Sequence, residues 1–420
     1  MLLPTTLTAL FFPFLHPLLD HGLEERPQQP LATPSPLQFQ LRHLHAVSGS
    51  AQVVLSDITA HRGPSIASHR SDYALQSRPV KAYRPSSSKE HAEARRLSIY
   101  ERQSSNLRWD EWEIPGPDTE SRKTLLELAK MTNNAYVVDN NDTQWYELDK
   151  RWTDAYPFGW EPDADGFRGH VFATADNSTV VVSVKGTSAG LFGGGGPTAK
   201  KDKLNDNLLF SCCCARVDWT WTTACGCYRS GWNCDQQCLE ESLVTESLFY
   251  PIGTNLYNNI TYMYPDSNIW IIGHSLGGAL ASLLGVTFGV PVVTFESPGE
   301  RMAASRLHLP SPPSTHHVTH VYHTADPIAM GTCTGVLSSC ALGGYAMESR
   351  CHLGKSILYD TVSAVGWAVD IRTHGIVQII DKLLNEPWAP SVEQGREVPE
   401  PQTEEDCVEC YHWEFGDFPS

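Results

Sequence analysis

Positive charge is scarce in this chain. Its 420 residues hold 31 Lys and Arg against 48 Asp and Glu, a formal net charge of −17. Such a balance excludes a polyanion such as nucleic acid as a natural partner. The shortage is uneven: residues 1–110 carry 12 basic and 9 acidic side chains, and the remainder 19 and 39. Charge of either sign is missing from two stretches. The first is Met1 to Leu19, ahead of Asp20. It is long enough for a membrane segment, and it has neither a basic flank nor a small-x-small cleavage site. An uncleaved signal anchor is therefore expected over residues 1–19, interrupted by Pro4, Pro13 and Pro17. Membrane helices tolerate proline better than soluble ones do.

The second uncharged stretch runs from Ser267 to Phe295. Its length alone would suggest another span. Gly273, Gly285, Gly289 and Pro291 instead divide it into a strand "NIWIIG", a small-residue helix "HSLGGALASLLG" and a strand "VPVVTFESP". A strand–helix–strand unit apolar on every side belongs in the middle of a parallel sheet. The expected fold class is thus α/β with a mostly parallel central sheet. There is no internal repeat.

Twelve cysteines fall in clusters at 212–214, 225–238, 333–351 and 407–410. The first clusters have no pair of cleanly spaced Cys-x-x-Cys motifs and no neighbouring His, as a zinc site would require. An even, clustered count fits disulfides formed in an oxidising lumen. Sequons at Asn141, Asn177 and Asn259 point the same way, as glycosylation acceptors. Together they place the body beyond the anchor on the lumenal side.

Residues 20–97 are rich in Pro, Ser, His and Arg and read as a lumenal linker, partly disordered, with a possible strand in "FQLRHLHAVSGSAQVVLSDI". A catalytic domain is expected over 98–416, with a Cys-rich insertion around 211–238 and a tail at 417–420. A helix is predicted from Glu120, capped by Asp118 or Thr119, with Leu125, Leu128, Ala129 and Met131 near one face. The strands "HVFATAD" and "STVVVSVKG" follow, joined across Asn177-Ser178. The loop with Leu191, Phe192 and glycines 193–196 fits either a mobile lid or a flexible linker.

Chemistry concentrates in Gly273-His274-Ser275-Leu276-Gly277. A G-x-S-x-G between a strand and a helix forms a tight turn that lifts the serine hydroxyl above the sheet, and the glycines let the neighbouring chains approach. Ser275 is the expected nucleophile, and the Leu276 N–H an oxyanion donor aided by the helix N-terminus. A serine needs a base, and on this topology the chain order is Ser, acid, His. Asp326, after the strand "HVTHVYH" and before Pro327, is preferred as the acid over Asp360 and Asp370. His316, His317, His320 and His323 precede it, and His352 adjoins Cys351. Of the remaining His374 and His412, His374 is the expected base: it lies in a loop leading into an amphipathic helix, about fifty residues after the acid. Thr187, just after "VVVSVKG", is the expected second oxyanion donor. No metal or cofactor is needed.

The segments "KGTS", "IWIIGHSLGGALASLLG", "YHTADPIAMG" and "DIRTHGI" resemble class 3 lipases. Longer segments extend the likeness. "RRLSIYERQSSNLRWDEWEIPGPDTESRKTLLELAKMTNNAYV", "WNCDQQC", "YAMESRCHLGKSILYD" and "EEDCVECYHWEFGD" are similar to the autophagy-related phospholipases of fungal vacuoles. The resemblance covers about Arg95 to Gly416. It implies an α/β-hydrolase fold with Ser275, Asp326 and His374 as its triad. It also implies a single-pass type II membrane glycoprotein delivered through the endoplasmic reticulum and multivesicular bodies, or endosomes, to the vacuole. There it would act on the phospholipid membranes of autophagic bodies and other vesicles. Two alternatives stand beside this: a neutral triacylglycerol lipase, and a membrane-tethered binding protein with a catalytically dead hydrolase fold.

Overall fold

A computed structural model describes residues 36–47, 52–57, 74–136, 167–187, 199–217, 221–246 and 249–418. The strands, in chain order, are β1 (Leu37–Val47), β2 (Val53–Asp57), β3 (Ala74–Leu75), β4 (Ser77–Pro85), β5 (Trp109–Pro117), β6 (Gly169–Thr174) and β7 (Thr179–Val184). They continue with β8 (Asn233–Asp235), β9 (Asn268–His274), β10 (Val292–Phe295), β11 (Val318–His323), β12 (Lys355–Tyr359) and β13 (Glu414–Gly416). The main sheet has the order β12-β11-β10-β9-β7-β6-β1-β2, with β3 paired to β1. Strands β7, β9, β10, β11 and β12 are mutually parallel, so their carboxyl ends share one edge. The other half, β6, β1 and β2, is antiparallel.

This is an α/β-hydrolase-type sheet, and the uncharged stretch from Ser267 to Phe295 is its centre: β9, then the helix Leu276–Phe288, then β10, nearly all of it buried. The strands are apolar on both faces because both are covered. One core includes Val180, Val182, Ile271, Leu280 and Leu284. The opposite one includes Val181, Trp270, Ile272, Phe295 and Val321. Adjacent residues of one strand thus enter opposite cores, as the two-residue period of a strand requires. Among the described residues no helix is long and apolar enough to cross a membrane. The anchor expected over residues 1–19 lies outside them.

Two expectations are corrected. Over much of its length, the stretch read as linker at 20–97 is ordered structure. The strand expected in "FQLRHLHAVSGSAQVVLSDI" is present, as β1 and β2 at one end of the main sheet with His43 Nε2 2.6 Å from the Tyr264 hydroxyl; beyond that expectation, β4 pairs with β5 along its whole length. Long-range pairing outweighs a Pro- and Ser-rich composition here. The helix expected from Glu120 runs Arg122–Asn134, and Ser121 caps it by accepting from the Thr124 N–H. Asp118 instead closes the preceding turn, accepting from the Ser121 and Glu120 amides. The hairpin of β6 and β7 turns at Asn177 as expected.

All twelve cysteines are paired. Cys213–Cys234, Cys214–Cys225 and Cys227–Cys238 staple the insertion internally, and Cys333–Cys340 closes a short loop. Cys212–Cys410 and Cys351–Cys407 tie the C-terminal segment back to the body. Cys214, Cys225 and Cys227 bring their sulfurs together, but each is already committed to a disulfide. Asn177 and Asn259 are exposed, as glycan acceptors must be, whereas Asn141 lies outside the described residues.

Candidate active site

The turn between β9 and the Leu276–Phe288 helix holds Ser275 at φ 56°, ψ −132°. A non-glycine residue in that region costs on the order of 1–3 kcal/mol, so the surroundings must enforce it. They do so by close packing. A Cβ on Gly273 would stand 2.3 Å from the Gly277 carbonyl oxygen, and one on Gly277 would stand 2.3 Å from that of Val184. Both obstacles are backbone, which cannot move aside. The strand ends therefore close around the serine only because these two positions lack side chains. The Ser275 N–H donates to the Phe295 carbonyl at 3.0 Å and locks the turn to β10.

The structure brings the three residues singled out in the sequence together. Ser275 Oγ is 2.9 Å from His374 Nε2, and His374 Nδ1 is 2.7 Å from Asp326 Oδ2. All three are buried, Asp326 completely. Asp326 Oδ1 also accepts from the Ile328 N–H at 2.9 Å. Burial disfavours the Asp326 carboxylate, but the His374 partner outweighs it and holds its pKa well below the usual carboxylate range. Asp326 is therefore held as the carboxylate.

The other candidates are engaged elsewhere. Asp360 caps the helix Thr361–Val365, and Asp370 caps the turn Ile371–His374 while holding Arg372. His317 bonds the Gly285 carbonyl, and His320 bonds Thr294 and lies 3.2 Å from Glu300. His323 bonds the Thr373 carbonyl, and His352 bonds Glu404 and the Ser297 carbonyl beside the Cys351–Cys407 bridge. His316 and His412 are exposed.

Thr187 lies just past the end of β7. The preceding Gly186 is so close to the nucleophile that a Cβ there would meet Ser275 Cβ at 3.0 Å. The Leu276 amide opens the helix, where amides have no intrahelical acceptor. Both expected oxyanion donors thus flank Ser275. Leu191, Phe192 and glycines 193–196 lie outside the described residues.

Several supporting residues were not legible in the sequence. Tyr136, at the end of the Arg122–Asn134 helix, accepts from the Gly186 N–H at 3.0 Å and lies 2.6 Å from His274 Nδ1. His274 Nε2 lies 2.8 Å from the His374 carbonyl, which can only accept. Burial pushes the His274 pKa down to about 3, so the ring is neutral. Its single N–H must sit on Nε2, and Tyr136 must donate to Nδ1. One chain of bonds thus joins the Thr187 segment to the His374 loop. The Thr187 hydroxyl and Asp206 Oδ2 are 2.5 Å apart, and the Lys185 Nζ donates to the Gly186 carbonyl at 2.7 Å. Tyr136 meets Gly186 and His274 across 50 and 138 positions, which no local pattern announces.

The family model described as "Lipase (class 3)" matches residues 243–331, the segment that carries Ser275 and Asp326. "Putative lipase ATG15" of Cryptococcus neoformans is 51% identical over 368 residues, covering 74% of this chain and 70% of that one. The Saccharomyces cerevisiae protein of the same name is 48% identical over 315 residues, covering 73% and 59%. Among solved structures, Lip2 lipase from Yarrowia lipolytica aligns with TM-score 0.30 and 17% identity, covering 58% of this chain and 80% of that one.

Proposed function

This chain belongs to the ATG15 family of class 3 lipases, and from that premise we propose that it is a serine phospholipase working on membranes in an oxidising lumen. As a lipase it hydrolyses carboxylic esters of lipids. The observation that carries the finer reading is the continuous hydrogen-bonded line Ser275–His374–Asp326 at the edge where the parallel strands end.

Each step follows from that line. Ser275 Oγ attacks the ester carbonyl while His374 Nε2 takes its proton. Asp326 fixes the imidazole with its N–H on Nδ1 and stabilises the imidazolium. The Leu276 and Thr187 N–H groups receive the oxyanion. Burial, with Asp202 adding to it, pushes the Asp206 pKa up to about 8. The Thr187 hydroxyl donates to Asp206 Oδ2 at 2.5 Å, which anchors the segment that carries the Thr187 N–H. His374 returns its proton to the leaving alcohol, and water then releases the fatty acid.

The surface around the site favours a membrane over a dispersed ester. From Pro327 to Met347, and again from Thr361 to Val369, there is no Asp, Glu, Lys or Arg. These segments leave the sheet beside Asp326 and lead to His374. They expose Leu337 (85%), Leu342 (76%), Val369 (56%) and Val365 (50%). In a chain with net charge −17, two bare apolar segments flanking the site suit insertion among acyl chains. The six disulfides and the exposed sequons support passage through the secretory route to the endosomal and vacuolar lumen, with residues 1–19 as a type II anchor. The membranes of autophagic bodies are the substrate that this location and the family name suggest.

The lipid class is tested by assaying the protein on phosphatidylserine liposomes and on emulsified triolein. We expect faster release of fatty acid from the liposomes. Faster hydrolysis of triolein would favour the neutral-lipid reading.

A further inference from the structure

Glu296 has no part in the hydrolytic scheme above, yet it sits at the centre of the site. It follows the last residue of β10, the strand between the one that delivers Ser275 and the one that delivers Asp326. Its N–H donates to the Val321 carbonyl at 3.0 Å, and its backbone is held at φ 44°, a left-handed conformation unusual for glutamate. The side chain is fully buried. Among the described residues no side-chain donor bonds either carboxyl oxygen, and the only group that eases a charge there is the His323 backbone.

The surrounding groups explain why. His323 Nε2 is 3.6 Å from Glu296 Oε1 but only 3.2 Å from the Thr373 carbonyl. A carbonyl can only accept, so the His323 N–H is committed there. His374 spends its two nitrogens on Asp326 and Ser275. Tyr322, on the same strand as His323, donates to Glu404. What remains against Glu296 is the equally buried Asp326. Two carboxylates in contact in a dry interior cannot both ionise. Asp326 has the His374 and Ile328 donors to hold a charge, whereas Glu296 has only the weaker help of the His323 backbone, so the proton belongs on Glu296.

We propose that Glu296 is a positioning residue that stays protonated and donates its O–H to the Asp326 carboxylate, fixing the acid that orients His374. This rests on the triad reading of the site. Burial first, then the Asp326 charge, push the Glu296 carboxyl well above the ordinary range, while the same contact helps keep Asp326 ionised. A neutral Glu296 also spares His374 a second nearby negative charge. It works as a donor, a role that glutamine can largely reproduce and leucine cannot.

The test compares Glu296→Gln and Glu296→Leu on a lipid ester across pH. Glu296→Leu is expected to lose about 10- to 100-fold in kcat with KM little changed, the scale of one hydrogen bond to a charged group. Glu296→Gln is expected to lose no more than a few-fold. Its acid limb of kcat/KM should stay in place, because an uncharged amide replaces an uncharged acid. An acid limb displaced downward by roughly a unit would mean an ionised Glu296 and would overturn the proposal. Equal losses in both variants, tracking a lowered melting temperature, would reduce Glu296 to packing and overturn it too. A readout free of turnover is the infrared difference spectrum of wild type against Glu296→Gln at neutral pH. A protonated-carboxyl C=O band must vanish in the variant, and its absence from wild type refutes the assignment. Wild type that shows this band yet cleaves no ester would instead refute the triad reading.

Discussion

Replacing Ser275 with alanine lowers kcat on a lipid ester about a million-fold, and adding His374→Ala costs little more. The two residues act as one device. Ser275 Oγ and His374 Nε2 are 2.9 Å apart, and once either is gone the other has nothing to activate or nothing to activate it. Asp326→Asn keeps the shape but not the chemistry. An amide NH2 toward His374 Nδ1 would drive the ring proton to Nε2, where it faces Ser275 and cannot accept. A loss of about ten-thousandfold is expected, with KM nearly unchanged. Steady-state kinetics on the three variants checks this order. A loss for Asp326→Asn no larger than that for the peripheral Asp360→Asn would contradict it, since Asp360 only caps a short helix.

Removing the Cys212–Cys410 bridge, by replacing both residues with serine, is expected to lower stability by about 3–5 kcal/mol. The bridge spans 198 residues, the longest separation of the six. A closed loop of this length removes much entropy from the unfolded chain, and the Cys351–Cys407 bridge nearby shortens that loop only in part. β13 is three residues long and pairs with the equally short β8. Serine at Cys333 and Cys340, which closes a loop of separation 7, should cost clearly less. Chemical denaturation of the two double variants under oxidising conditions measures the difference. Equal losses would count against the loop-entropy account.

The elbow was legible because its causes are local. Strand, tight turn and helix follow one another within the stretch from Asn268 to Phe288, and the glycines mark where chains meet. Asp326, His374 and Thr187 could be found because each follows a strand or opens a helix, in a fixed chain order. The uncharged stretch from Ser267 to Phe295 was legible for a related reason: its breaks distinguish sheet centre from membrane span. The supporting residues were not legible. Tyr136 meets His274 across 138 positions, and His43 meets Tyr264 across 221. The alternation at 39–58 announced β1 and β2, whereas β4 sits in a segment whose composition suits a linker, and only pairing with β5 makes it a strand. The Arg122–Asn134 helix starts later than expected because Asp118 can serve a turn as readily as a cap, and tertiary context chose the turn. Cysteine spacing pointed to disulfides but could not choose among pairings, which proximity in the folded chain decides.

The central claim is that Ser275 is an activated nucleophile. Treating the folded protein with a fluorophosphonate and mapping the adduct by mass spectrometry tests it most directly. The account predicts one adduct, on Ser275, that is absent in heat-denatured protein and much slowed in His374→Ala. Folded wild-type protein that takes no label at Ser275, or labels elsewhere at equal rate, would contradict it.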